Sequence, residues 1–162
     1  MNCRHEQTFV KDIMTSNPAC CTPDQTLEVA AQLMVDFDCG EIPVVTDLET
    51  GFPIGVITDR DIICRAIAKG LNARETTVAK CMSTPLVVLT PEDSIAKCSR
   101  ILEENQIRRA PVIDPNGACI GIISLADIAL HVARAESGEI LREVSHVTPL
   151  PSRVRGSWCS GH

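Results

Sequence analysis

The 162-residue chain is 44% hydrophobic and 22% charged with a formal net charge of -6, a balance that fits one compact domain or two small subdomains sharing a core. The acidic balance argues against a surface built on nucleic-acid phosphates, and one Trp, three Phe and no Tyr argue against a base-stacking platform. No apolar run approaches the roughly 20 residues of a membrane span, and Met1-Asn-Cys-Arg-His-Glu-Gln lacks a signal-peptide core, so a cytoplasmic location is expected, with no nucleic acid and no membrane as partner.

Residues 1–9 are polar and expected to be loose. Val10-Lys-Asp-Ile13-Met14 gives a short apolar-anchored turn, and Thr15-Ser-Asn-Pro18 reads as a breaker cluster. Ala19 to Thr22 fits a short strand. Thr26 is a natural N-cap for a helix whose Leu27, Ala30, Ala31, Met34 and Phe37 share one apolar face; Asp38-Cys39-Gly40 ends it. Ile42-Pro43-Val44-Val45 reads as a strand, in which Pro43 marks a position without a ladder donor, one that faces a cleft. Glu49-Thr50-Gly51 turns the chain into a second strand, Pro53-Ile54-Gly55-Val56-Ile57. A helix from Asp59 to about Ala68 follows, with Ile62, Ile63, Ala66 and Ile67 apolar. Lys69-Gly70 stops it, and residues 71–77 form a polar linker.

The series then repeats. Val78-Ala-Lys-Cys81-Met82 answers Val10-Lys-Asp-Ile13-Met14, Thr90-Pro91 answers Thr22-Pro23, and Pro111-Val112-Ile113 answers Pro43-Val44-Val45, each 68 residues on. Ile95, Cys98, Ile101 and Leu102 form the second amphipathic helix. A turn two residues shorter, Asp114-Pro-Asn-Gly117, brings Gly121 to answer Gly55 and Asp127 to answer Asp61. The last helix starts at Asp127 and extends to about Glu143. Residues 147–162, with Trp158, have no helical period and read as a loose tail. The organisation is therefore a flexible start (1–9), repeat one (10–70), a linker (71–77), repeat two (78–140) and a tail (141–162). A strand-helix-strand-strand-helix unit is too small to bury both faces of its sheet. The expected fold is α/β of the α+β type, two pseudo-twofold-related β-α-β-β-α repeats packed sheet to sheet with clefts between them.

Two turns organise these repeats: Gly55-Val-Ile-Thr58-Asp59-Arg60-Asp61 and Gly121-Ile-Ile-Ser124-Leu125-Ala126-Asp127. Each joins a strand to a helix. Glycine allows close backbone approach, and a hydroxyl and a carboxylate three residues apart at a helix mouth suit a ligand with a diol and a phosphate. The same spacing also makes a capping box, which needs no ligand.

Nine cysteines (3, 20, 21, 39, 64, 81, 98, 119 and 159) include no C-x-x-C pair, and several lie in apolar periodic runs, as buried reduced thiols do. A zinc site from Cys3, His5 and distant partners finds no support in spacing, so no metal is expected. His5, His131, His146 and His162 form no triad with a nucleophile, and His131 reads as a helix-surface residue. Catalysis is not expected.

On Met14-Thr15 and Met82-Ser83, the two Pro-Val pairs and the two Gly-to-Asp turns, residues 8–135 resemble a tandem pair of CBS domains, a Bateman module. The resemblance implies no catalytic chemistry and a ligand that is an adenine nucleotide or adenosine derivative, with AMP, ADP, ATP or S-adenosylmethionine as candidates and no required cofactor. It implies that Asp61 and Asp127 accept from the ribose diol while Thr58 and Ser124 meet the phosphate end. Backbone groups at Ile42 and Ala110, ahead of Pro43 and Pro111, would hold the base edge, and Thr22 and Thr90 would line adenine pockets. Arg60, Arg108 and Arg109 would neutralise phosphates, whereas Glu41 would repel one. The expected function is a stand-alone regulatory module, homodimeric through helices 59–68 and 127–140 and acting on a regulated protein partner. The alternative is a ligand-free scaffold or a thiol-regulated dimerisation module, with Cys20-Cys21 the most suggestive pair.

Overall fold

The computed structural model describes residues 8–136. The expected tail, the extension of the last helix to Glu143 and most of the loose start lie outside the described residues.

Val10–Ile13 forms a single helical turn, α1, and Thr15–Ser16 a two-residue strand, β1. In α2 (Leu27–Asp36) the Thr26 hydroxyl accepts from the Val29 N–H at 3.4 Å, and Leu27, Ala30 and Met34 are buried. Phe37 was expected on that apolar face. The helix ends one residue earlier and Phe37 caps it, 59% exposed, because Asp38 turns the chain away at φ +48°. β2 (Glu41–Val45) and β3 (Pro53–Thr58) form an antiparallel hairpin, and α3 (Asp59–Arg65) follows directly. α3 stops short of Ala68 and tightens into a 3-10 turn, Ile67–Lys69, closed by Gly70 at φ +71°.

The second half gives α4 (Ile95–Glu104), β4 (Arg109–Ile113), β5 (Cys119–Ser124) and α5 (Leu125–Glu136). β4 and β5 repeat the antiparallel hairpin, and the register shifts at Val112/Ile113 as it does at Val44/Val45. The fold is of the mixed helix-and-strand class expected, with small antiparallel sheets in orders β2-β3 and β1-β5-β4.

The breaker cluster is where expectation and structure part. Thr15 and Ser16 pair with Ile122 and Gly121 of β5, so the first strand of repeat one joins the sheet of repeat two. Reciprocally, Ser83 bridges Val56 of β3 through Val56 N–H to Ser83 O (3.2 Å) and Ser83 N–H to Val56 O (2.7 Å). The cores follow the same exchange. Val10 packs with Leu89, Cys98, Leu102, Ala110, Val112, Ile123 and Ile128 of repeat two, and Val78 and Cys81 pack with Leu27, Ala30, Ile42, Val44 and Ile57 of repeat one. Helix caps follow it too. Thr76 O accepts from the Leu27 N–H that opens α2, and Thr8 O from the Ile95 N–H that opens α4 (2.9 and 3.2 Å). The strand expected over Ala19 to Thr22 contracts to Cys21 alone, whose N–H and C=O bond Pro43 and Val45 in a parallel bridge; Leu89 does the same with Pro111 and Ile113. A half-chain of this size buries too little apolar surface alone, and the exchanged segments complete each core.

Gly55 and Gly121 take their meaning from this exchange. A β-carbon on Gly55 would stand 2.9 Å from the Ser83 carbonyl oxygen, and one on Gly121 would stand 2.5 Å from Met14 Sδ. The close approach expected of these glycines is therefore made by the crossing chain. Backbone resists displacement more than a methionine side chain does. We expect Gly55→Ala to cost about 1–3 kcal/mol by urea unfolding and Gly121→Ala distinctly less. Equal losses would show that Met14 is held as firmly as the Ser83 backbone.

Candidate ligand-binding cleft

Both strand-to-helix turns fold as reciprocal capping boxes. The Asp61 N–H donates to Thr58 Oγ1 (3.0 Å), while Asp61 Oδ2 accepts from the Thr58 N–H and hydroxyl (3.1 and 2.8 Å). In the second copy the Asp127 N–H donates to Ser124 Oγ (3.1 Å), and Asp127 Oδ2 accepts from the Ser124 N–H and hydroxyl (2.8 and 2.6 Å). The cap thus uses one carboxylate oxygen and leaves the other for separate work.

The two remaining oxygens differ. Asp61 Oδ1 meets Arg65 Nη2 at 3.2 Å, one helical turn on, and Ser83 Oγ of the exchanged segment lies 3.3 Å from each Asp61 oxygen. His131 stands where Arg65 stands in the first copy, and its Nε2 instead meets Thr8 Oγ1 at 3.2 Å. Asp127 Oδ1 has no hydrogen-bond partner among the described residues. Asp61 is buried and Asp127 half-buried.

A cleft of about 1030 Å³ runs between the repeats, at the upper limit of the sizes of small-molecule sites. From repeat one it is lined by Thr58, Asp59, Arg60 and Asp61, and from repeat two by Ser124, Leu125 and Ala126. Arg108, Arg109 and Pro111 line it as well, as do Ser83 and the following 85–87 segment. Asp127 stands just behind this wall, tied to it through Ser124.

The structure does not bring the remaining expected positions into the cleft wall. Ile42, Pro43 and Ala110 are fully buried inside their hairpins, so Pro43 marks the acceptor for Cys21 and not a cleft-facing gap. Thr22 and Thr90 hold turns in which their N–H groups donate to Gln25 Oε1 and Asp93 Oδ2 (2.9 and 2.8 Å). Sequence reasoning missed Ser83 and the 85–87 segment as cleft residues; the signal was Met82-Ser83 itself, which answers the crossing pair Met14-Thr15.

Charge is distributed unevenly across the pseudo-twofold axis. Glu41 and Arg109 occupy equivalent first positions of β2 and β4, opposite Thr58 and Ser124 respectively. The Arg109 guanidinium reaches across to Gly40, where an added β-carbon would lie 3.4 Å from Nη1. Arg60, Arg108 and Arg109 form no salt bridge with any described residue. Glu41 Oε1 is buried and has no hydrogen-bond partner among the described residues. Burial pushes the Glu41 carboxyl up to about 7; Arg109 opposes that shift and the Asp61 charge reinforces it.

The family model of the CBS domain matches residues 10–67 and again residues 78–134. The chain belongs to the CBS domain family. It is 41% identical over 138 residues to the CBS domain-containing protein YhcV of Bacillus subtilis, covering 85% of this chain and 95% of that protein. It is 34% identical over 125 residues to hypoxic response protein 1 of Mycobacterium tuberculosis, covering 77% and 85%. A crystal structure of Hypoxic Response Protein I with two coordinated zinc ions superposes at a TM-score of 0.68, with 35% identity over 76% of this chain and 98% of that one. Among the described residues, no group of three or more His, Cys, Asp and Glu is placed to hold a metal ion; Cys3 and His5 lie outside them. Two structures share the fold at lower identity. CBSX2 in complex with AMP matches at TM-score 0.67 with 24% identity, and the MJ0100 CBS pair in complex with 5-methylthioadenosine and S-adenosyl-L-methionine at 0.68 with 23%; each match covers 80% of this chain and 98% of the other. No helix among the described residues is long and apolar enough to cross a membrane.

The half-buried Glu41, with its Oε1 out of solvent, sets a pH dependence. Its folded carboxyl keeps a proton to about pH 7 where the unfolded one releases it near 4.5, so the folded state binds more protons across that window. Stability must then fall as pH rises from about 4.5 to 7, by at most about 3 kcal/mol for this group. Glu41→Gln is expected to remove that fall in urea unfolding at pH 5 and pH 8. An unchanged difference between the two pH values would place the carboxylate in solvent.

Proposed function

We propose that this CBS pair is a cytoplasmic regulatory module that binds an adenine nucleotide or adenosine derivative in the inter-repeat cleft and signals by a change in the relation between its repeats. One observation carries the reading: the hydroxyls of both turns, Thr58 and Ser124, and the Asp61 carboxylate line one cleft beside three arginines without salt bridges among the described residues. Anionic oxygens suit the arginines and the helix N-terminal amides. A ribose diol suits a carboxylate oxygen not used by the cap. Asp127 Oδ1 has no partner among the described residues to displace, although Asp127 stands behind the cleft wall, while Asp61 lines the cleft and must first give up Arg65 and Ser83. A ligand that displaced those two partners would alter contact between α3 and the exchanged segment of repeat two, and such differential contact is what shifts a two-state equilibrium.

A regulated protein partner and a second copy of the chain are the remaining elements of the proposal. Ile63, Ile67 and Leu130 are 59%, 54% and 52% exposed on or beside α3 and α5, where self-association would cover them. The scaffold reading rests on the two capping boxes, which are complete without ligand.

Thermal unfolding against AMP, ADP, ATP, S-adenosylmethionine and a guanine nucleotide tests the reading. A ligand at 100 times its Kd adds about 2.7 kcal/mol, so a raised midpoint confined to adenine compounds is expected. Asp61→Asn and Asp127→Asn keep an acceptor for the caps but turn one oxygen into a donor, and the double variant is expected to lose the ligand shift while unfolding near the wild-type midpoint. No shift with any adenine compound in the wild type would favour the scaffold.

A further inference from the structure

Cys20 and Cys119 belong to different repeats, 99 residues apart in sequence, and both lie at the edge where β1 pairs with β5. The exchange brings them together. β1 and β5 pair at Thr15↔Ile122 and Ser16↔Gly121, and the register continues through the Asn17 N–H to the Ile120 carbonyl at 3.0 Å, which sets Pro18 beside Cys119. Cys20 folds back onto this edge, its Sγ donating to Pro18 O at 3.5 Å, and Cys119 Sγ donates to Gly121 O at 3.6 Å. Both residues are half-buried, so a small oxidant has access, whereas the adjacent Cys21 is fully buried in the first core.

We propose that Cys20 and Cys119 form an intramolecular disulfide that joins the two repeats at the exchanged strand, with a low-molecular-weight disulfide of the glutathione type as oxidant. The roles of the two sulfurs differ. The interaction between the two sulfurs holds the Cys20 thiol below the usual range, against its burial, and raises that of Cys119. Burial pushes the Cys21 thiol up to about 12, with the Cys20 charge adding to it, which withdraws it from exchange. The Cys20 thiolate attacks one sulfur of the oxidant, forming a mixed disulfide and releasing one small thiolate. Cys119 gives its proton to that thiolate and attacks Cys20 Sγ, releasing the second. Two protein thiols are oxidised, the oxidant is reduced to two small thiols, and no other redox partner is needed.

The link would close a long loop across the pair, so the oxidised chain should unfold at a higher midpoint, by roughly 5–10 °C. The test is incubation of the full chain with oxidised glutathione, alkylation of free thiols and peptide mapping without reduction. A Cys20–Cys119 cross-linked peptide is expected in the wild type and in Cys21→Ser, lost in Cys20→Ser and in Cys119→Ser, together with the raised midpoint. A Cys20–Cys21 link, a Cys20–glutathione adduct that does not resolve, or only intermolecular dimers on a non-reducing gel would each overturn the proposal. The wild-type map alone decides the matter if a serine variant fails to fold.

Discussion

The reciprocal exchange of lead segments is the constraint on which the rest depends. Each repeat lends the other a strand contact, core side chains and a carbonyl that caps its first long helix. Val10 belongs to the second core, and Val78 and Cys81 belong to the first. Apolar burial is the dominant favourable term in folding and scales with area. Neither repeat supplies that area alone. The two glycines that looked like ligand contacts are there because the crossing chain passes over them.

The same exchange builds the cleft. Ser83 arrives on the segment crossing from repeat two and meets Asp61, and the residues after it line the cavity beside both turns. Within each turn the carboxylate divides its oxygens, one to the helix cap and one outward. Pseudo-symmetry places that pattern twice, and side-chain differences then make the copies unequal. Arg65 occupies the outward oxygen in one copy, while His131 turns to Thr8 in the other. Glu41 and Arg109 likewise share one structural position with opposite charge, so the two halves of the cleft present different fields to whatever enters.

Much of the fold was legible because its signals are local. Thr26 marks a helix start, Gly51, Gly70 and Gly117 mark turns at positive φ, and the recurrence of motifs 68 residues on declares the duplication. What escaped were the long-range pairings. Thr15-Ser-Asn-Pro18 carries the composition of a breaker and becomes a strand only because β5 offers an edge to it. Pro43 reads as a gap in a ladder, yet it is fully buried and its carbonyl serves Cys21. The turns of the candidate site were visible as spacing, and the choice between cap and ligand was not, since both use the same side chains through different oxygens. The partner of Cys20 was invisible too, because Cys119 comes to it only through the exchange.

A chain built this way cannot finish one repeat before starting the next. Domains of multidomain proteins generally fold from the N-terminus as synthesis proceeds. Here the first core waits for Val78 and Cys81 to leave the ribosome, and Val10 waits longer still, for Ile123 near the end of the second hairpin. Until then the nascent chain holds a hairpin edge at Val56 and an apolar lead segment without their partners. The two cores are therefore completed in turn, the first only after the second repeat has begun and the second only after its hairpin is made.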